Sequence, residues 1–455
     1  MKEKLYELSP IFIQNLLVSM YGYKLKRQRF GRFYEEKLST LVKRNDTNFN
    51  FDAYQLNQLN TFLEYAKENS EYFSRILSNV NLPLENVGDL KNIPVLNKED
   101  IRKNIDEIIT VPKSGAIKSF TGGTTGKSLT VYYTEQDMQE RMAYLDYFKE
   151  QHGVKKGMRR ASFTGKNLVP PNQTSKKFWR YNTALRQLLF SSFHGTEENM
   201  PFYIEKLNKF KPQSLDGFPS VILKIAKYVL KNNIDLKFKP AAIFPTAETL
   251  LDSDREVIEE AFKCKVRDQY ASSEGAPFIT ECTHSSLHIN VDTGVFEKVN
   301  KDDDISEIYV TSFNTHGTPL IRYKIGDSLE FTDESCTCPI NTPIVRRIIG
   351  RNTDYLYSEE RGTISSANMS NTIKNLPNSV INIQFVQKKM DTIIVNIVAD
   401  KALYHEKHNN EIKRELINRF GEKMNFKFQF VNEIKTENSG KTRFIVNKLD
   451  QNIIN

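Results

Sequence analysis

Apolar and polar positions follow three regimes along the chain, and each predicts a different layer of structure. Over residues 1–110, Phe62, Tyr65, Tyr72 and Phe73 recur among polar positions at helical spacing. Ser9 followed by Pro10 predicts the cap and first turn of an amphipathic helix. Asn97-Lys98-Glu99-Asp100 predicts a second helix start. At 116–133 the pattern changes to a glycine- and hydroxyl-rich loop, Thr121-Gly122-Gly123-Thr124-Thr125-Gly126-Lys127-Ser128, between two short β-like runs, the second of them Leu129–Tyr133. In the middle, Ala242–Phe244 reads as a buried strand and Asp254–Phe262 as a helix with Val257, Ile258, Ala261 and Phe262 on one face. Val266–Tyr270 reads as the next strand. That alternation predicts an α/β layer with a mainly parallel sheet, whose ligands sit at the carboxyl ends of the strands.

After about residue 350 the regime changes again. Val380–Val386 and Thr392–Val398 read as paired strands, Asn409–Phe420 as a helix and Phe426–Val431 as a third strand. A polar loop over 435–441 precedes a last strand, Arg443–Val446. The fold class is therefore α/β: a large multilayer N-terminal domain over 1–349, then a small α+β domain over 350–455. The boundary falls near Gly350-Arg351-Asn352-Thr353-Asp354.

Composition narrows the function classes. With 39 % hydrophobic and 26 % charged residues, the 455-residue chain reads as globular rather than disordered. A net charge of +8 is too small at this length to argue for nucleic acid, and suits anionic small molecules. Lys24-Leu25-Lys26-Arg27-Gln28-Arg29 reads first as a solvated helix end, since six residues make a small patch, with contact to an anionic membrane surface as the alternative. No apolar run approaches the length of a membrane span. Four cysteines are too few for a disulfide scaffold, so a cytoplasmic chain is expected.

Several segments carry chemistry. In the 121–128 loop, three glycines let backbone N–H groups approach an anion, and the hydroxyls and Lys127 add donors. A Walker loop fails by one residue, because Thr121 stands where its first glycine belongs; a plain surface hairpin is the other reading. In Tyr270-Ala271-Ser272-Ser273-Glu274 an aromatic ring could stack on a base and a carboxylate could hold Mg²⁺, although a helix cap explains the segment equally. Arg322-Tyr-Lys-Ile-Gly-Asp327 exposes a carboxylate that could accept ribose hydroxyls, or it is an ordinary β-turn. Gly350-Arg351 and Ser439-Gly440-Lys441 complete the series.

In order and spacing, these segments resemble the adenylate-forming superfamily of acyl-CoA synthetases, peptide-synthetase adenylation domains and luciferases. The nearer likeness is to the phenylacetate-CoA ligase branch and its CapK-like relatives in capsular polysaccharide clusters. It rests on Thr121–Gly126, Asp216-Gly-Phe-Pro-Ser220, Ala247-Glu248 ahead of a helix, and Cys336-x-Cys338. Ala271, Ser273, Ile325 and Thr353 depart from the family's usual Gly, Thr, Thr and Asp. The resemblance implies an AMP-forming carboxylate ligase that uses ATP and Mg²⁺. Residues Thr121 to Lys127 would hold the β- and γ-phosphates, Glu274 the Mg²⁺, Asp327 the ribose with Arg351 close by, and Tyr270 the adenine. Lys441 would bridge the attacking carboxylate and the α-phosphate. The acyl group would then pass to CoA, or to an amine or hydroxyl of a sugar. A nucleotide-binding scaffold without catalysis is the reading from another class.

The acyl pocket is expected around 190–220 and 242–246, with Phe193, His194, Phe218 and Phe244 as candidates that serve equally well as core. Cys282, His288, Cys336 and Cys338 fit a closed, structural Cys₃His zinc set, with His288 preferred to His284. Reduced cysteines and surface histidines are the alternative. Cys264, beside a predicted strand, reads as core.

Overall fold

The computed structural model describes residues 2–449 apart from 44–48, 121–128, 167, 171, 172, 174, 249, 251, 300–304, 351–354, 366–368, 370, 371, 373–375, 378, 400, 401, 433 and 435–444. The amino-terminal region is helical as the spacing predicts: α1 (Lys2–Leu8), α2 (Ile11–Arg29), α3 (Arg32–Lys43), α4 (Phe51–Asn69), α5 (Glu71–Ile76), α6 (Lys98–Lys103) and α7 (Ile105–Ile108). On α4 the buried set Leu59, Phe62, Leu63 and Ala66 keeps one face inward. Asn97 caps α6 in a capping box with Asp100. Ser9 does not cap α2: its hydroxyl donates back to Tyr6 O of the unforeseen helix α1, and Pro10 takes the cap position. Nor is α2 amphipathic in the expected sense, because it buries Gln14, Val18, Ser19 and Gly22.

Strands β1 (Ile117–Phe120) and β2 (Thr130–Tyr133) form a hairpin with Phe120 opposite Thr130. Helix α8 (Glu135–Gln151) follows, capped by Thr134. Then come β3 (Arg160–Thr164), β4 (Trp179–Asn182), β5 (Gln187–Ser191), α9 (Met200–Phe210), β6 (Ser214–Gly217), α10 (Pro219–Lys231), β7 (Ala242–Pro245) and α11 (Asp252–Phe262). These strands build a sheet ordered β4-β5-β3-β6-β7, parallel except at the edge strand β4. Ala161, Leu215 and Ile243 face α9–α11 on one side, while Phe244 packs against Phe148 of α8 on the other.

The segment 266–270 does not extend the parallel sheet. Val266 makes a single parallel bridge to Ile243, and only β8 (Gln269–Tyr270) is a strand. It joins a second, seven-stranded antiparallel sheet with β9 (Ile279–Glu281), β10 (Leu287–Ile289), β11 (Gly294–Lys298), β12 (Ile305–Ser312), β13 (Leu320–Phe331) and β14 (Ile344–Gly350). Helices α4 and α5 share their core with this sheet. The chain closes with the hairpin β15 (Tyr355–Ser358) and β16 (Gly362–Ser365). A four-stranded sheet of β17 (Val380–Lys389), β18 (Thr392–Ala399), β19 (Asn425–Phe430) and β20 (Ile445–Asn447) follows, with a helix over Glu406–Phe420. These elements share a core of their own, from Leu356 to Ile445.

Candidate active site

The two sheets meet where Arg267 N donates to Ile243 O and Gln269 Nε2 to Pro245 O, at 2.8 and 3.3 Å. This junction brings the carboxyl end of β7 beside β8, where parallel strands offer a ligand cleft. Tyr270 leaves β8 buried, and its hydroxyl donates to Asp327 Oδ2 at 2.7 Å, joining two predicted residues 57 positions apart. The ring also meets Phe296 edge-on at 5.9 Å.

Glu274 is buried on the loop after β8, and that loop is fastened from three sides. Tyr133 Oη donates to Ser273 O at 3.0 Å, Arg141 Nη1 to Gly275 O and Ala276 O at 2.9 and 3.0 Å, and Ser312 Oγ to Gly275 O at 2.5 Å. Ser272 Oγ accepts from Ala276 N at 3.0 Å. Ala271 and Ser273 are exposed. Burial holds the Tyr133 phenol well above its usual range, so it stays a donor. A carboxylate on so rigid a loop fits an oxygen-seeking cation such as Mg²⁺.

At the end of β7, Ala247 sits in the left-handed region at φ 69°, which a residue with a side chain rarely adopts. Glu248 Oε2 accepts from Ser220 N at 3.1 Å, and Thr246 N donates to Gly217 O at 2.9 Å. The ends of β6 and β7 are thereby tied together. His194 follows β5, buried and stacked on Phe178, with Nδ1 2.7 Å from Ser191 Oγ. Arg419 of the carboxyl-terminal helix lies 4.3 Å over the ring of Phe193. Phe218 is buried at the start of α10, and Phe244 is fully enclosed, edge-on to Phe148 at 5.3 Å.

Thr121, Gly122, Gly123, Thr124, Thr125, Gly126, Lys127, Arg351 and Lys441 lie outside the described residues. The hairpin that carries the 121–128 segment is described, and it is anchored. Tyr132 N donates to Thr318 Oγ1 at 2.8 Å. Asp137, with no exposed surface, accepts from Thr134 N, His316 N and Gly317 N at 2.9, 3.0 and 3.0 Å, and pairs with His316 Nδ1 at 2.7 Å. Burial opposes both charges, yet the hydrogen bond and mutual attraction hold Asp137 below and His316 above their ordinary values.

Sequence reasoning missed this pair, although Thr134 with Asp137 three residues on was a readable cap signal. It also missed a charged layer under α8. Arg160 Nε lies 3.2 Å from Asp216 Oδ2, and Lys149 Nζ lies 5.7 Å over the Phe244 ring. Burial, then the Arg160 charge, lowers both Lys149 and Arg29. Alternation in Arg160-Ala-Ser162-Phe-Thr164, inside a sheet covered on both faces, was the available signal.

Away from this cleft, Cys282, His288, Cys336 and Cys338 present ligand atoms that all lie within 4.8 Å of one another. Cys282 and Cys336 sulfurs are 3.7 Å apart, and Cys338 Sγ is 3.3 Å from His288 Nε2. Tetrahedral zinc with 2.3 Å bonds to sulfur needs sulfurs about 3.8 Å apart. His288 Nδ1 is 3.1 Å from Thr342 Oγ1, which leaves Nε2 for a metal. His284 is exposed and outside the set, 3.0 Å from Thr337 Oγ1. Burial pushes the Cys264 thiol up to about 12, as suits a core residue.

A family model for the CapK C-terminal domain matches residues 356–448. The chain is 48 % identical to Protein CapK of Staphylococcus aureus over 451 residues, covering 98 % of this chain and 99 % of that one. It is 24 % identical to the phenylacetate-coenzyme A ligase of Thermus thermophilus over 342 residues, 71 % of this chain and 74 % of the relative. Among solved structures, 2-hydroxyisobutyryl-CoA ligase in complex with 2-HIB-AMP and CoA superposes with a TM-score of 0.59 at 18 % identity, over 90 % of this chain and 92 % of that one.

Proposed function

The chain belongs to the CapK family of adenylate-forming ligases, and from that premise we propose that it activates a carboxylic acid with ATP and passes the acyl group to CoA. A carboxylate oxygen attacks the α-phosphorus of ATP, the bond from that phosphorus to the bridging oxygen breaks, and pyrophosphate leaves. A thiol sulfur then attacks the acyl carbon; AMP departs and the thiol proton goes to solvent. Two anions meet in the first step, so donors and cations must be aimed at the developing charge.

The observation that carries the reading is the 2.7 Å bond from Tyr270 to Asp327, beside the fastened loop that holds Glu274. It joins the Asp327 carboxylate, which would accept ribose hydroxyls, to the Tyr270 ring, beside which adenine would lie. Glu274 would hold Mg²⁺, which neutralises phosphate charge when bound. Residues Thr121–Lys127, which join β1 to β2 in the sequence, would hold the β- and γ-phosphates. Ala247 and Glu248 would line the nucleotide cleft, and His194 with Phe218 and Phe244 would border the acyl side. In the domain division proposed here, 1–349 binds both substrates, while 350–455 turns about Arg351 and delivers Lys441 for the first half-reaction only. The Cys282, His288, Cys336 and Cys338 set would hold a structural zinc.

The test is ATP–pyrophosphate exchange against a panel of aryl, short fatty, amino and uronic acids, with wild type and Lys441→Ala side by side. Exchange with one acid, lost in the variant, is expected. Absence of any ATP binding would overturn the reading. Adding CoA, amines or sugars then identifies the acceptor. AMP release that needs an amine or sugar hydroxyl and not CoA would assign the second reading.

A further inference from the structure

Helix α2 is built inside out. Its inward face is polar because it covers β4, the edge strand of the five-stranded sheet. An uncovered edge presents unpaired backbone groups, and α2 satisfies them with side chains. Asn15 Oδ1 accepts from Tyr181 N at 2.9 Å and Ser19 Oγ from Thr183 N at 3.1 Å. Gln14, only 1 % exposed, accepts from Arg180 Nε at 2.5 Å and donates to Tyr6 O at 2.9 Å. Gly22 lets the two elements close up, since a Cβ there would stand 2.1 Å from Asn182 Oδ1.

Val18 apart, the most apolar part of the surface is left outside. Phe12, Leu16, Met20 and Tyr23 are 72, 58, 59 and 57 % exposed and recur every three or four positions, so they form one stripe along the helix. Leu5 and Leu8 of α1 extend it, at 73 and 87 % exposed. Such a stripe, about 17 Å long on α2 alone, is not the surface of a freely solvated helix. At its carboxyl end stand the exposed cations Lys24, Lys26 and Arg27. Over residues 1–29 there are six basic residues and two acidic ones.

We propose that α1 and α2 lie in the interface of a membrane rich in anionic lipid, with the stripe among the upper acyl chains and the cations on the headgroups. Apolar area and positive charge on one helix are the two contributions that interfacial binding sums. Charge complementarity selects lipid over a second copy of the chain. Residues 2–8 carry Lys2, Glu3, Lys4 and Glu7, in balance, so neither parallel nor antiparallel self-pairing offers an acidic surface to Lys24, Lys26 and Arg27. Among the described residues no helix is long and apolar enough to cross a membrane, so the contact is with one leaflet.

The test is co-sedimentation of the full chain with vesicles of phosphatidylcholine, with and without phosphatidylglycerol. Binding is expected to the anionic vesicles, and to fall on the order of tenfold without phosphatidylglycerol or at high salt. The variant Phe12→Ser/Leu16→Ser/Met20→Ser should lose on the order of tenfold or more in partitioning, with its unfolding midpoint held, since these side chains already face water. The variant Lys24→Glu/Lys26→Glu/Arg27→Glu, changed only at exposed positions, should lose the preference for anionic lipid. Failure of the wild-type chain to bind anionic vesicles would overturn the proposal. So would equal binding by a folded apolar variant, or a lipid-free dimer that the same substitutions make monomeric.

Discussion

Asp137→Asn should loosen the base of the β1–β2 hairpin, and its cost can be worked from the geometry. The carboxylate has no exposed surface and accepts four N–H groups, three from backbone and one from His316. An amide keeps one oxygen and turns an NH₂ group toward donors, so at least one buried backbone N–H loses its acceptor. Each such loss costs about 1–3 kcal/mol, and breaking a buried ion pair about 3–5 kcal/mol in all, so about 3–5 kcal/mol is expected. The pH dependence separates charge from packing. Asp137 is depressed in the fold, so its contribution is present above about pH 4 and is lost as pH falls through the lowered value. His316 is raised, so its contribution is full below about pH 6.5 and is lost as pH rises through the raised value. Urea unfolding of wild type and variant across pH should therefore show the largest difference between about pH 4 and 6.5, narrowing above. A difference under about 1 kcal/mol, or one flat with pH, would refute the reasoning.

Tyr270→Phe removes the donor to Asp327, a charge-assisted bond, and should raise KM for ATP by roughly tenfold with a smaller change in kcat, read by pyrophosphate exchange. Zinc analysis of the purified chain should find one metal per chain. Cys338→Ser or chelation should remove it and lower the unfolding midpoint, while wild-type chain that binds no zinc would sink the assignment. Gly217→Ala would place a Cβ 2.1 Å from Phe163 O at φ 134°, so it should destabilise the β3–β6 pairing by more than about 2 kcal/mol, measured by denaturant unfolding; a neutral outcome would show that the strand ends can shift.

The local pattern determined most elements and the order of the chemistry. The 3.6 periodicity of α4, the Asn97–Asp100 box, the hairpin around 121–128 and the strands of the carboxyl-terminal sheet all follow from side-chain spacing and capping, which neighbours along the chain settle. The motif order from Thr121 to Lys441 carried the family in the same way, and the quartet Cys282, His288, Cys336 and Cys338 was readable as ligand types. Three things required the tertiary structure. Val266–Tyr270 has strand composition, but which sheet it joins depends on partners far away in sequence, and β8 turned to β9 instead of β7. Asp137 carries no more than a cap signal in the sequence, because the backbone groups that make it an anchor come from residues 316 and 317. The outward face of α2 is apolar only because a sheet edge claimed its polar one. Hydrogen-bond partners and burial are decided by what folds against a segment, and hydrophobic spacing along that segment does not contain them.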